Sequence, residues 1–195
     1  MTCIVGYLDI QNACSWIGAD SLGSSSAHKA TYLSPKVFKN ILFKNVLMGA
    51  TGSFRHIDLL KYSENLFDEL DLYKETELDH KYIVTKLIPK VITLFQDNIK
   101  DEADASKGTN IIVCSPKSVF EVQSDYSVLE PSFGFCSVGS GMQYALGSLY
   151  STKDLDTPVP RKIEVALESA EQCGCGVQRP FTILNTKNED VITIT

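Results

Sequence analysis

Residues 79–99 restrict the fold more than any other stretch of the chain. Ile83, Val84, Leu87, Ile88, Val91, Ile92 and Phe95 recur with a period near 3.6 and little polar interruption, so the segment reads as a helix packed along one broad face. A helix of this kind needs a flat apolar partner, and strand-like runs lie on both sides of it. On the N-terminal side, 2–8 and 13–19 read as strands joined by a turn at Asp9-Ile10-Gln11-Asn12, and 32–38 and 46–49 read as two more, separated by 39–45. The Ser- and Gly-rich stretch 22–30 reads as a loop. Ser53 reads as the N-cap of a first helix, with Phe54, Ile57, Leu60, Tyr62 and Phe67 as its stripe to about Leu70.

On the C-terminal side, strands are expected at 110–114, 118–123 and 133–138, the first two around the turn Ser115-Pro116-Lys117. Gly139-Ser140-Gly141 leads into a helix over 142–150, and Pro160 opens another that runs to about Gln172. The last strands are 181–184 and 191–194. The order is strands, two helices, strands, two helices, strands. It predicts an α+β fold in which two stacked, mainly antiparallel sheets carry a helix pair on each outer face. The polar run 100–108 is read as an exposed loop inside one domain spanning 1–195, because neither half alone has a complete layered core.

Composition narrows the function classes. A net charge of −6 disfavours nucleic acid as a partner, since phosphate neutralisation wants a basic face. No apolar run approaches the roughly 18 residues of a membrane span, and no basic-then-apolar leader opens the chain, so a cytoplasmic location without membrane contact is expected. Of the six cysteines, Cys3, Cys14, Cys114 and Cys136 lie in apolar, strand-like contexts and read as small buried hydrophobes. Cys173-Gly174-Cys175 has no second cysteine pair near it, and His28, His56 and His80 are scattered, which argues against a zinc site.

The chemistry concentrates at the beginning. In Met1-Thr2-Cys3-Ile4-Val5-Gly6 a threonine follows the initiator methionine and opens a strand. With Met1 removed, Thr2 carries a hydroxyl and a free α-amine, a nucleophile with its own base. The amine titrates near about pH 8, close enough to neutrality to take and return a proton. Singly, Asp20 reads equally as a turn cap, Lys36 as a solvated strand-end charge, Gly49 as a tight-turn residue and Ser140 as a helix N-cap.

Taken in order, Thr2-Cys3-Ile4-Val5-Gly6, Gly18-Ala19-Asp20-Ser21, Pro35-Lys36-Val37, Val46-Leu47-Met48-Gly49 and Gly139-Ser140-Gly141 resemble the proteasome β-subunit family, most closely its HslV branch, over roughly residues 2–184. The resemblance implies the four-layer αββα sandwich of N-terminal-nucleophile (Ntn) hydrolases and a threonine endopeptidase. It implies Thr2 as nucleophile and amine base, Asp20 as the acid that positions Lys36, and Lys36 as the cation beside the threonine. It implies the Gly49 N–H as oxyanion donor and Ser140 as a hydrogen-bond partner of the threonine amine. It further implies a homo-oligomeric ring, hexameric or heptameric and single or stacked, acting on polypeptide delivered by an AAA+ unfoldase like HslU. No cofactor is required, and a structural Na+, K+ or Mg2+ is implied on the backbone carbonyls of Glu171, Gly174 and Val177.

Three departures stand against the family pattern. Gln172 and Cys175 occupy positions where relatives carry Asp and Ser, Cys3 replaces a second threonine or serine as either a bystander or a redox-sensitive thiol, and the stretches 68–79 and 101–108 look longer. Two other functions remain open for such a chain: a non-catalytic scaffold of the same assembly, and an Ntn amidohydrolase for small amides.

Overall fold

A computed structural model describes residues 1–24, 28–67, 78–100 and 109–195. The first sheet runs in the order β10 (Phe135–Val138), β1 (Ile4–Asp9), β2 (Cys14–Ala19), β11 (Phe181–Asn185), β12 (Ile192–Ile194). The second runs β5 (Val37–Lys39), β6 (Leu47–Ala50), β7 (Ile111–Ser115), β8 (Ser118–Val122), β9 (Val128–Leu129). Every pairing in both is antiparallel. A small hairpin of β3 (Leu22–Ser24) and β4 (Lys29–Thr31) stands apart.

Helix α1 is Phe54–Tyr62. Helix α2 comprises His80–Tyr82, a π-type stretch Ile83–Leu87 and Ile88–Asn98. Pro89 has no N–H to donate back along the helix, which is consistent with the wider turn just before it. Helices α3 (Met142–Thr152) and α4 (Val159–Cys173) form the other pair. No helix among the described residues is long and apolar enough to cross a membrane.

The strand period of two assigns side chains to layers. On β7, Ile111 and Val113 face the core under α1 and α2, whereas Ile112 and Cys114 face the space between the sheets. On β1, Ile4 enters the inter-sheet core and Val5 the core under α3 and α4. Three apolar layers separate four structural ones, so the αββα sandwich is the observed architecture. Runs such as Ile111-Ile112-Val113-Cys114 are apolar throughout because both of their faces are covered.

Several expected elements differ. The 22–30 loop contains the β3–β4 hairpin. The strand expected over 32–38 is only Val37–Lys39, since Pro35 cannot donate to a ladder. The first helix stops at Tyr62 with Ser63 as C-cap, and Leu66 and Phe67 enter the core without helical geometry. Residues 68–70 of its expected continuation, residues 68–77 of the acidic stretch 68–79 and the loop 101–108 lie outside the described residues.

Candidate active site

The site is assembled at one end of the inter-sheet layer, where β1, β2 and β10 reach the edge and the entry to β5 comes alongside. The β1–β2 and β1–β10 registers, extended one or two residues, set Cys3 opposite Asp20 and Thr2 opposite Ser140. The Asp20 N–H donates to the Cys3 carbonyl at 3.3 Å and the Gly141 N–H to the Thr2 carbonyl at 3.2 Å. Gly139 makes the second approach feasible: its φ is +98°, and a Cβ there would lie 2.3 Å from the Thr2 carbonyl oxygen. Thr2 itself is buried.

Asp20 and Lys36 form a fully buried ion pair, with Lys36 Nζ donating to Asp20 Oδ1 at 2.8 Å. The Cys3 N–H donates to the same oxygen at 2.9 Å and the Leu22 N–H to Oδ2 at 2.9 Å. The carboxylate is thereby satisfied, the condition under which a buried charge is tolerated. Burial lowers the Lys36 pKa below the usual lysine value and the Asp20 charge opposes that shift. Beyond the pair, Lys36 Nζ also reaches the Met1 carbonyl oxygen at 3.4 Å.

The Thr2 hydroxyl donates to that same Met1 oxygen in a short hydrogen bond. The Thr2 backbone N–H donates to Ser140 Oγ at 3.1 Å, and Ser140 Oγ–H donates to the Thr2 carbonyl at 3.3 Å. Ser140 is thus not the N-cap of α3. Gly141 holds that position without a side-chain hydrogen bond, which leaves the Ser140 hydroxyl for Thr2. Four of the expected residues, Thr2, Asp20, Lys36 and Ser140, come together within hydrogen-bonding reach of one another or of the Met1–Thr2 peptide.

Gly49 does not join them as an oxyanion donor, and that expectation is corrected. It lies in the middle of β6, opposite Val37 on one side and Ile112 on the other. Hydrogen bonds from Ala50 N to Lys36 O and from Thr51 N to Asn110 O fix the phase of the two ladders. Alternate antiparallel pairs exchange bonds, so the Gly49 N–H is directed to Ile112. The residue is glycine because the sheets are close here: a Cβ would meet Val37 Cγ1 at 2.8 Å and Ile17 and Ile4 at 3.1 Å. Beyond the strand, Gly52 has φ +84° at the entry to α1, and among the described residues its N–H has no protein acceptor. The positive φ, unlike the bare glycine, distinguishes Gly52 from Gly49 and has no signature in the sequence.

The turn after α4 closes the other side. A Cβ on Gly176 would lie 2.5 Å from Ser140 Oγ and 2.9 Å from Met1 Cβ. The Ser21 N–H donates to Gln178 O at 3.1 Å, tying this turn to the residue after Asp20. Glu171, Gly174 and Val177 occupy the last turn of α4 and this loop, and oxygen donors at a helix C-terminus suit a cation in kind. The Glu171 carboxylate adds nothing to them, because it holds the Arg179 N–H at 2.8 Å and the Arg179 guanidinium. No cluster of three or more His, Cys, Asp or Glu suited to a metal occurs among the described residues. Gln172 and Cys175 are exposed.

Cys3, left open between a bystander and a redox-sensitive thiol, is wholly buried, and burial pushes its thiol up to about 12 against a lowering by the Ser137 hydroxyl 3.7 Å away. A thiol that stays protonated and unexposed is a packing group. Ser137, which was not singled out, donates to the Ile4 carbonyl at 2.8 Å and lines the same wall.

No protein-family model matches the chain, and no curated protein matches it in sequence. Solved structures do match in fold. HslV from Trypanosoma brucei superposes with a TM-score of 0.69 at 18% identity, over 94% of this chain and 98% of that one. BPH from Thiobacillus denitrificans, solved in complex with epoxomicin, superposes with 0.73 at 16% identity over 100% of both chains. Anbu, an ancestral β-subunit from Yersinia bercovieri, gives 0.66 at 13% identity over 100% of this chain and 87% of that one. The chain therefore has the proteasome-like Ntn-hydrolase fold. At these identities the likeness is one of fold, and the chemistry has to be argued from the residues themselves.

Proposed function

We propose that this protein is a threonine-type peptidase of the HslV kind, in which Thr2 becomes the N-terminal nucleophile once Met1 is removed. One observation carries the reading: a buried lysine, held by a buried aspartate, points at the Met1–Thr2 peptide while Ser140 holds the Thr2 nitrogen. A structural ion pair would have no need to extend its cation toward that peptide.

In the full chain the Met1 carbonyl oxygen accepts from both Lys36 and the Thr2 hydroxyl, and Thr2 N is an amide without basicity. Loss of Met1 releases both donors and turns Thr2 N into an amine beside Ser140 Oγ. The amine takes the hydroxyl proton, directly or through one water, and Oγ1 attacks a peptide carbonyl. The Lys36 charge favours the neutral, basic form of the amine. We assign the oxyanion donor to the Gly52 N–H, since that of Gly49 belongs to the sheet; such a donor typically contributes about 3 kcal/mol. The amine proton then passes to the leaving nitrogen, and water hydrolyses the ester on Thr2.

The same reading carries a homo-oligomeric ring of six or seven subunits, single or stacked, in the cytoplasm, with polypeptide fed by an AAA+ unfoldase. A Na+, K+ or Mg2+ ion on the Glu171, Gly174 and Val177 carbonyls would have a structural part only.

Intact-mass measurement with native mass tests both halves at once, reporting Met1 removal and ring size. Epoxomicin, with which BPH was solved in complex, supplies the chemical test, because covalent capture at Thr2 would report a reactive hydroxyl there. The expected result is one adduct at Thr2, absent in Thr2→Ala together with peptidase activity. Protein that keeps Met1 in its assembled state and takes no label is a non-catalytic scaffold.

A further inference from the structure

We propose that Cys173 and Cys175 are a thiol–disulfide site that small disulfides of the glutathione type oxidise, and that closing it shifts the Gly176 turn against Ser140. Six free cysteines divide sharply: Cys3, Cys14, Cys114 and Cys136 are buried, whereas Cys173 and Cys175 are exposed. Only these two are open to a dissolved oxidant, and they stand two residues apart.

The backbone between them has the range that the reaction requires. Cys173 ends α4, and Gly174 is extended at φ −126° and ψ 147°. Two extended steps span about 6.6 Å, near the upper limit of about 6.8 Å for a disulfide's Cα separation. Closing the bond draws the pair together and moves Gly174 out of the extended region, which a glycine permits at least cost. A ring this small is strained and returns readily to dithiol when reduced thiols are in excess.

Both ends of the turn are anchored. The Gly174 N–H caps the helix on Ala170 O at 3.0 Å, and Val177 is buried against Gly141, where a Cβ would meet Val177 Cγ2 at 2.7 Å. Shortening between 173 and 175 is therefore taken up at Gly176, whose backbone abuts Ser140 Oγ and Met1. Ser140 holds the Thr2 nitrogen, so the displacement reaches the nucleophile through a single hydrogen bond.

The exchange balances. One cysteine thiolate attacks a sulfur of the small disulfide and expels one thiolate; the second cysteine attacks the mixed disulfide and expels the other. The two cysteines together lose two electrons and two protons, and the oxidant becomes two thiols. That oxidation slows Thr2 chemistry rests on the peptidase reading above; formation of the disulfide and movement of the turn do not.

The test equilibrates the full protein in mixtures of reduced and oxidised glutathione, blocks free thiols, and reads alkylation, hydrogen exchange over 174–178 and the rate of epoxomicin labelling at Thr2. The expected result is loss of both exposed thiols at one midpoint, a Cys173–Cys175-linked peptide, altered exchange over 174–178 and labelling slowed about tenfold, the last effect absent in Cys173→Ser. Failure of the linked peptide to form, or its formation with exchange and labelling both unchanged, overturns the proposal. Linked peptide with altered exchange but no Thr2 labelling in either redox state upholds the dithiol site and overturns the peptidase reading instead.

Discussion

Lys36 immediately precedes β5 and Lys39 ends it, and burial lowers the pKa of both. Their partners differ in kind. Lys39 Nζ donates to three backbone carbonyls, Asn188 at 2.6 Å, Asn185 at 2.7 Å and Lys44 at 3.2 Å, and so ties the 39–45 turn to the end of β11. An ammonium has three protons, and this one spends them on backbone carbonyls, with the Glu189 and Asp190 charges acting on it only from a distance. Lys36 has one strong partner, the Asp20 carboxylate, and its remaining reach extends to the Met1 carbonyl. A lysine saturated by carbonyls is a clamp, whereas one held by a single anion with a donor left over can act on a neighbouring group. The contrast supports function at one end of the strand and architecture at the other, and substitutions separate them.

The largest effect is expected from Lys36→Met in Met1-processed protein. Removing the charge beside the amine lowers epoxomicin labelling and peptidase rates by on the order of 10³-fold, while native mass is unchanged. An unaltered labelling rate would reduce Lys36 to a second clamp. Next comes Asp20→Ala, which leaves the Lys36 charge buried without its anion and costs about 3–5 kcal/mol in denaturant unfolding. The double variant Asp20→Leu with Lys36→Met removes both charges and recovers much of that stability without recovering activity. Stability and activity returning together would mean that the pair matters only for packing. Lys39→Met is milder: unfolding shows a loss of about 2 kcal/mol, as the charge-assisted bonds are lost and solvent replaces some of them. Labelling at Thr2 stays as in the unsubstituted protein, and a labelling defect here would erase the distinction between the two lysines.

The same contrast marks what the sequence discloses. Layering was legible because periodicity is local: residues 79–99 repeat every 3.6 residues, and the doubly buried strands are apolar throughout. The β3–β4 hairpin was not, since strands of three residues carry too little alternation to stand out from a Ser- and Gly-rich loop. The early stop of α1 at Tyr62 was hidden because Phe67 still packs into the core, so the apolar stripe outlasts the helix. Thr2, Asp20, Lys36 and Ser140, which the structure brings together, are singled out by a pattern of short motifs, yet nothing in their spacing shows that Lys36 meets a carboxylate and Lys39 meets carbonyls. Gly49 was misjudged for a related reason. The glycine is visible in the sequence, but the ladder phase that directs its N–H into the sheet depends on partners at Ile112 and Val37.

The smallest effect at neutral pH, and the one that separates burial from pairing, belongs to Cys3, whose N–H shares Asp20 Oδ1 with Lys36. Its thiol is pushed up to about 12 by burial, from 9.0, with the Ser137 hydroxyl opposing. A folded-state value above the unfolded one means that the native state holds the proton longer as pH rises. The stabilisation from a neutral buried thiol is thus complete below pH 9 and is lost progressively up to about pH 12. Lys36 and Lys39 have the opposite sign: their folded-state values lie below the unfolded one, so the native state releases the proton first and stability gains as pH climbs toward 10.5. Urea unfolding from pH 7 to 12 in Cys3→Ala, compared with the unsubstituted protein, reads the thiol together with its charge coupling to Lys36. The difference between the two curves is constant to pH 9 and then shifts in favour of the variant; Lys39 cancels because both proteins contain it, and Lys36 enters only through its attraction to the Cys3 thiolate. A flat difference throughout would mean that the Cys3 thiol ionises as readily in the folded chain as in the unfolded one, and the wall behind Thr2 would then be open to solvent.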